Sequence, residues 1–173
     1  MKDPDSVNSM VIGLVRNDAC AVYLNGNEVF RDGNLNDDAS YSTLSFTDLL
    51  EEDYRIYVAV PISFIRDGVN VISTEVHKSS RFSANFSFDL NVTAIIPPFT
   101  RIVSSGESWS YLDNGTDPGN DWRSLNYDDL SWKIAQSPLG YGEDAVVGDV
   151  RFGDNPDNKH ATTYFRKTFK FMG

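Results

Sequence analysis

The sequence predicts an all-β protein built as a two-sheet sandwich. Short runs of alternating or β-branched residues recur along the chain, with Gly, Pro, Asn and Asp turns between them. The segment 81–92 shows the clearest alternation, because Phe82, Phe86 and Phe88 share one face while Ser, Asn and Asp occupy the other. Helical periodicity is almost absent, so a helical or βαβ protein is excluded.

Each further strand follows from the same pattern and ends at a turn. Asn25-Gly26-Asn27 is a hairpin signal, and Pro61 ends the run at 54–60 or marks that run as an edge strand. Short helical turns are expected only at 47–52 and 125–132. Strands are predicted at 7–15, 19–24, 28–31, 54–60, 69–76, 81–92, 109–112, 149–152 and 161–171. The core is predicted to contain Phe82, Phe86, Phe88, Val22, Leu24, Val71 and Trp132.

Composition and charge exclude several classes of partner. The 173 residues carry 25 acidic against 15 basic side chains, a net charge of -10, without any basic cluster. A nucleic acid or an anionic membrane surface would be repelled. No apolar stretch approaches the roughly 18 to 20 residues that span a bilayer, so membrane insertion is not expected. Cys20 is the single cysteine and is expected to be a buried hydrophobic residue.

Four motifs together resemble those of a known family. They are Val22-Tyr23-Leu24-Asn25-Gly26, Gly68-Val69-Asn70-Val71-Ile72, Asp128-Asp129-Leu130-Ser131-Trp132 and Tyr164-Phe165-Arg166-Lys167-Thr168-Phe169. The chain resembles the galactose-binding-like jelly rolls attached to secreted bacterial phosphoesterases and to family-two glycoside hydrolases. The resemblance implies a jelly-roll β-sandwich, secretion from a bacterium, and a non-catalytic role in binding carbohydrate or a cell-surface glycan.

The order of the motifs is reversed relative to those families. Residues 1–94 resemble the back half of the jelly roll, 95–98 form a Pro-rich connector, and 99–173 resemble the front half. The chain is therefore interpreted as one domain, 1–173, that is circularly permuted or spans two tandem repeats with repeat neighbours as partners. A permutant predicts that Lys2 and Gly173 lie within about 10 to 15 Å of each other.

A loop near residue 141 is the predicted ligand site. Tyr141 stands between two glycines and is followed by Glu143 and Asp144. The carboxylates accept hydrogen bonds from sugar hydroxyls, and an aromatic ring suits the apolar face of a sugar. These three residues are predicted to form a shallow, acidic surface with weak affinity for neutral glycans.

An acidic loop offers a possible calcium site. Asp113, Asp117 and Asp121 recur every fourth residue in a Gly- and Pro-rich segment, and calcium prefers several oxygen ligands from such a loop. The segment lacks the EF-hand pattern. A structural calcium ion and a solvated turn remain the two interpretations.

The remaining conspicuous residues are interpreted as structural. Trp109, Trp122 and Trp132 lie in framework motifs of the resemblance and are expected in the core. Adjacent Asp128 and Asp129 are expected to shape a turn rather than to catalyse a reaction, and no catalytic motif occurs in the chain.

Two alternatives to a binding module remain open. One is a structural or self-associating domain without a small ligand. The other is a jelly-roll polysaccharide lyase that uses Tyr, His and Arg side chains. The sequence shows no strand that carries such groups together, which counts against the lyase.

Overall fold

The computed structural model describes residues 9–32, 34–49, 55–60, 62–95 and 100–172. In these ranges twelve strands form two sheets, so the all-β two-sheet prediction is confirmed. Short 3₁₀ helices occur at Ile62–Phe64 and Asp121–Arg123. The strands are β1 Met10–Arg16, β2 Ala19–Leu24, β3 Asn27–Arg31, β4 Arg55–Val60, β5 Gly68–His77, β6 Phe86–Ala94, β7 Thr100–Val103, β8 Ser108–Leu112, β9 Lys133–Gln136, β10 Leu139–Tyr141, β11 Gly148–Asp149 and β12 Thr162–Phe171.

The differences from the predicted elements are local. Strand β6 begins at Phe86 and not at Arg81, because residues 81 and 82 form a turn. Strands β7, β9 and β10 are short and were not predicted, since three or four residues are too few to show an alternating pattern. The segment 125–132 consists of turns without a helix. The predicted helical turn at 47–52 lies partly outside the described residues.

The hairpin predicted at 25–27 connects β2 and β3, and its turn consists of two residues. Asn25 and Gly26 have φ values of 52° and 84°. Two consecutive positive φ values define a type I′ turn, whose twist matches that of antiparallel strands. Asn25 is further fixed because its Nδ2 donates to the Asn70 Oδ1 at 2.8 Å, which ties the turn to β5.

Both sheets combine strands from both halves of the chain. The first sheet has the order β11-β10-β6-β1-β4, with β7 also paired to β6. The second sheet has the order β3-β2-β5-β12-β8-β9. The longest pairing runs in the second sheet, where β5 and β12 are antiparallel from Thr162 opposite His77 to Phe171 opposite Gly68. These two strands carry two of the four motifs of the resemblance.

The main core lies between the sheets and is rich in aromatic rings. Phe165 of β12 stacks on Phe88 of β6 with ring centroids 4.0 Å apart. Trp109 meets Phe88 edge-on at 5.1 Å. Val22 and Leu24 of the predicted core belong to the same cluster. The predicted apolar face of β6 is therefore confirmed from Phe86 onward.

Three members of the predicted core lie elsewhere. Phe82 is 70% exposed, because it precedes β6 and lies in a turn. Val71 is buried, but it lies on the opposite face of β5 from Ile72, which packs in the main core. Trp132 is buried in a second cluster, outside the main core.

The second cluster covers the outer face of the second sheet. Trp122 meets Tyr164 at 4.9 Å and Trp132 at 6.5 Å between ring centroids. Arg166 is buried beside them, and its Nη1 lies 2.7 Å from Asp129 Oδ2. The three tryptophans are thus buried as predicted. Asp128 Oδ1 accepts from the Leu130 N–H at 3.1 Å and shapes the turn, whereas the side chain of Asp129 pairs with Arg166.

Several expectations fall on residues outside the described ranges. Lys2 and Gly173 both lie there, so the proximity of the ends stays a prediction. Most of the Pro-rich connector lies there as well. Strand pairing nevertheless shows that the segments on either side of the connector share both sheets.

The buried Phe86 and the exposed Phe82 provide a matched test of the core. We expect Phe86→Ala to lower the free energy of unfolding by about 3 to 5 kcal/mol, because a fully buried ring leaves a cavity. Phe82→Ala should change it by less than about 0.5 kcal/mol. Urea unfolding followed by tryptophan fluorescence measures both values. Equal effects of the two substitutions would contradict the assigned strand face.

Candidate functional site

A polar cleft lies where β10 and β11 meet the loops at residues 113–114 and 150–160. It has a cavity volume of about 720 Å³, which is within the range of small-molecule sites, about 300 to 1,000 Å³. Tyr141, Phe152 and Val150 give it an apolar part. The polar lining residues are Asp113, Asn114, Lys133, Asp149, Arg151, Asp154 and His160.

Asp113 organises the inner end of the cleft. Its carboxylate is buried and accepts from Lys133 Nζ at 2.6 and 2.7 Å and from the Arg151 backbone N–H at 2.8 Å. These bonds connect β9 to the loop after β11. The charge of Asp113 is thus balanced by Lys133, and both residues are held in place.

The ring of His160 is fixed in one orientation. Its Nδ1 lies 3.1 Å from the Asp113 carbonyl oxygen, and a carbonyl only accepts, so Nδ1 carries the proton. In the neutral imidazole Nε2 is then a hydrogen-bond acceptor. Gly115 and Gly153 pack against the ring, and an added Cβ at either position would come within 2.7 to 2.8 Å of it. Both positions therefore require glycine.

Several polar groups of the cleft have no partner of their own. Within the described residues, the side chains of Asp149, Arg151 and Asp154 make no hydrogen bond or ion pair, and neither does His160 Nε2. The cleft thus presents one guanidinium, two carboxylates and one imidazole nitrogen to a shared concave space. Such a mixture suits a ligand whose groups both donate and accept.

Tyr141 lies in the cleft, but its ring is already covered. It belongs to β10 and stacks on Phe86 at 5.8 Å, while Phe152 meets it at 5.0 Å. Its hydroxyl contacts Lys78 Nζ. Burial raises the pKa of Tyr141. The predicted stacking surface for a sugar is therefore better supplied by the half-buried Phe152.

The structure does not bring Glu143 and Asp144 into the same cleft as Tyr141. Glu143 lines a separate cavity on the outer face of the first sheet, where its Oε1 accepts from Asn17 Nδ2 at 3.3 Å. Asp144 is exposed. The chain turns sharply after β10, so residues two and three positions beyond Tyr141 lie on another side of the strand.

The three aspartates of the acidic loop have different environments. Asp113 is buried against Lys133, whereas Asp117 and Asp121 are exposed. Asp117 Oδ1 accepts from the Gly119 N–H at 2.8 Å, and Asp121 begins a 3₁₀ helix. The described residues contain no group of three or more His, Cys, Asp or Glu side chains arranged to hold a metal ion. Calcium binding by this loop remains a prediction.

A buried polar network under the second cluster was missed by the sequence analysis. Tyr23 Oη donates to Glu75 Oε1 at 2.6 Å, and His77 Nε2 lies 3.4 Å from Glu75 Oε2. Burial alone raises the pKa of Glu75, but the contacts with His77 and Tyr23 outweigh it and lower that pKa. Arg123 lies 4.3 Å from the centre of the Tyr23 ring. The alternation of β5 places Glu75 and His77 on one face, and that signal was available in the sequence.

This network brings Tyr23, His77 and Arg123 together from three separate elements, but it is closed to a substrate. Tyr23, Glu75 and His77 are at most 3% exposed. His77 Nδ1 is engaged by the Thr43 carbonyl oxygen at 2.9 Å. We therefore assign the network a structural role beneath the loops that cover β2 and β5.

Lys78 is a buried cation next to the cleft. It follows β5, is 2% exposed, and its Nζ donates to Tyr141 Oη and to the Ser83 carbonyl oxygen. Burial, assisted by nearby Lys159 and opposed by Asp18, lowers the pKa of Lys78 to about 8. The protonated form is thus less stable in the folded protein than in the unfolded chain.

Comparison with known proteins gives no relative from which a function is transferable. No protein-family model matches the sequence, and neither a curated protein nor a solved structure is significantly similar to it. None of the helices in the described ranges has the length and apolar character needed to cross a bilayer. The molecule is thus defined as an all-β sandwich with a polar cleft, and its function has to be inferred from that cleft.

The lowered pKa of Lys78 predicts a pH-dependent stability. Between pH 8 and about 10.5 the unfolded chain binds more protons than the folded protein, so stability rises with pH in this window. At about 1.4 kcal/mol per pKa unit, the gain is on the order of 3 kcal/mol. In Lys78→Met this gain should be absent. Urea unfolding of both proteins at pH 7.5 and pH 10.5 gives the difference.

The exposed Lys170 provides the control for this measurement. Lys170→Met leaves Lys78 and its surroundings in place, so it should retain the pH dependence of the wild type. If Lys78→Met and wild type change in parallel with pH, the buried position of Lys78 is refuted.

Calcium binding by the acidic loop is tested by thermal unfolding. If Asp113, Asp117 and Asp121 bind calcium in the native state alone, millimolar calcium raises the melting temperature by mass action. Asp117→Ala should abolish the rise, whereas Asp154→Ala, in another loop, should keep it. A wild-type melting temperature that does not respond to calcium identifies the loop as a solvated turn.

Proposed function

We propose that this protein is a non-catalytic accessory module that binds neutral carbohydrate, as part of a cell-surface glycan, in the polar cleft. The observation that supports this most is the set of unpartnered groups at Asp149, Arg151, Asp154 and His160 Nε2, all lining one concave space within the described residues. A sugar hydroxyl donates one hydrogen bond and accepts others, so it needs donors and acceptors side by side.

The charge of the cleft favours a neutral ligand. Lys133 balances Asp113, and the lining contains one further positive charge, Arg151, with two further carboxylates, Asp149 and Asp154. The whole chain also carries a net charge of -10. An anionic glycan or phosphate would therefore be repelled at long range and within the site.

The affinity is expected to be weak. One partly covered aromatic ring and a few hydroxyl contacts barely exceed the cost of removing water from a sugar. We expect dissociation constants of roughly millimolar to tens of micromolar for oligosaccharides. Such values suit a module that works next to other domains or repeats on the same surface, where binding is multivalent.

The wider assignment rests on the motif resemblance. We infer from this resemblance that the domain is a jelly roll, either circularly permuted or spanning two tandem repeats. We also infer that it belongs to a secreted bacterial protein. The direct pairing of β5 with β12, which carry motifs from the two halves, supports one interleaved domain. The closed position of Tyr23, Glu75 and His77 argues against a lyase that uses them.

A self-associating domain is the second candidate. Strand β9 is an edge of the second sheet, and it carries Ile134 at 72% exposure, with Leu130 at 91% exposure just before it. An exposed apolar edge strand can pair with another chain. Sedimentation equilibrium separates the candidates, because concentration-dependent dimers without glycan binding favour association.

Glycan binding in the cleft is tested with an array and an NMR titration. We expect neutral oligosaccharides selected on the array to shift the amide signals of residues 149–154 in a saturable manner. Arg151→Ala and Asp154→Asn should each weaken binding by about fivefold, the effect of one lost hydrogen bond of about 1 kcal/mol. The sugar spectra should show no new products over time.

Lys170→Ala is the matched surface control and should bind like wild type. Saturable shifts confined to other residues would refute the cleft as the site. Product signals that accumulate with time would refute the non-catalytic assignment, even where binding is retained.

A further inference from the structure

A second cavity lies on the outer face of the first sheet. It has a volume of about 400 Å³ and is separate from the cleft. Its polar lining is formed by Arg55, Ser87, Asp89 and Glu143, and Val15 contributes an apolar wall. We call it the outer cavity.

Strand register brings these side chains together. Val15 of β1 lies opposite Arg55 of β4 on one side and opposite Asp89 of β6 on the other. The three residues form a row across the sheet, and they point away from the core because their neighbours Leu14, Ile56, Phe88 and Leu90 pack inward. Ser87 lies on the same face, two residues from Asp89.

Asp89 holds the outer cavity in shape. Its Oδ1 accepts from Ser137 Oγ at 2.7 Å and from the Gly106 N–H at 3.2 Å. Its Oδ2 lies 3.3 Å from Arg55 Nη2. Asp89 is only 2% exposed, so a buried carboxylate holds one side of the partly exposed Arg55 guanidinium.

Two buried groups at the outer cavity lack the hydrogen bonds they require. Within the described residues, neither Arg55 Nη1 nor Ser87 Oγ has a partner, although both atoms are shielded from solvent. Ser87 as a whole is 3% exposed. An unsatisfied buried polar group costs about 1 to 3 kcal/mol, so ligand oxygen atoms that enter the cavity and bond these groups are favoured.

The charges of the lining residues restrict the kind of ligand that the outer cavity binds. Asp89 and Glu143 both line the cavity and the whole chain carries a net charge of -10, so an anionic ligand would meet carboxylates there. Hydroxyl groups of one ligand accept from Arg55 Nη1 and bond Ser87 Oγ without adding charge. We propose that the outer cavity is a second binding site, which takes a neutral hydroxylated ligand of monosaccharide size.

Tyr57 extends this site along the sheet. It lies two residues from Arg55 on the same face of β4 and is 71% exposed. Two residues of a strand span about 7 Å, which places the ring within reach of a second sugar unit. A disaccharide therefore binds more tightly than a monosaccharide, by stacking on Tyr57.

An NMR titration of the whole chain tests the outer cavity separately from the cleft. The probes are D-galactose and D-glucose, with D-glucuronate as the anionic comparison. We expect saturable shifts of the Val15, Ser87 and Gly106 amides with either neutral sugar, and binding of D-glucuronate at least about tenfold weaker. A disaccharide of the same sugars should bind more tightly, and Tyr57→Ala should remove only that gain.

Ser87→Ala is the decisive variant. It removes an unsatisfied hydroxyl, so its melting temperature should be unchanged or higher, while sugar affinity falls about fivefold for one lost hydrogen bond. Arg55→Lys should give the same loss, because an ammonium group cannot replace both arms of the guanidinium. Arg151→Ala, in the cleft, should leave the outer-cavity shifts unchanged.

Three results would overturn the second site. The first is the lack of saturable shifts at the outer cavity up to about 100 mM sugar, well above the range expected for a weak site; water alone then fills it. The second is unchanged affinity in both Ser87→Ala and Arg55→Lys. The third is tighter binding of D-glucuronate. Shifts at residues 149–154 alone would leave the proposed function intact and refute only this site.

Discussion

The ladder between β5 and β12 joins the two halves of the chain, and both layers of packing depend on it. Alternate residues on its inner side, such as Ile72 and Phe165, contribute to the main core between the sheets. On its outer side, Glu75, Tyr164 and Arg166 contribute to the second cluster and its polar network. Because successive side chains of a strand point to opposite faces, one long pairing supplies both layers. A shift of register by one residue would exchange apolar and charged groups across the whole sandwich.

The two candidate sites share the short strand β10. Its residues pair with β6, with Leu139 opposite Phe88, and Tyr141 at its end lies in the cleft. The chain then turns, and Glu143 reaches the outer cavity. Strand β10 thus lies between the cleft and the outer cavity. Each of them is lined by more carboxylates than cationic side chains. Both sites thus carry a small excess of negative charge, as the whole chain does, and this excess disfavours anionic ligands.

The local sequence pattern was sufficient to predict the strands that bury one regular face. It was not sufficient to predict which residues line the cleft and the outer cavity. The hairpin at Asn25-Gly26 and the alternation of β6 and β12 follow from short-range rules, and the structure agrees with them. Phe82 was misplaced because it continues the alternation past the end of β6 into a turn. Tyr141 and Glu143 are neighbours in sequence, yet the turn after β10 separates them. The pairing of Arg55 with Asp89 depends on the register of three strands, which no local pattern encodes.

The position of β12 in the second sheet also determines the order in which the protein acquires its structure during synthesis. His77 of β5 pairs with Thr162, which is separated from it by 85 residues along the chain. On the ribosome, β5 therefore emerges with one edge unpaired and waits until β12 has been translated. Contacts of such high sequence separation close slowly, because the loop between them must first lose its entropy. The exposed edge of β5 during that interval is a point at which a chaperone, or a second nascent chain, competes with the native partner.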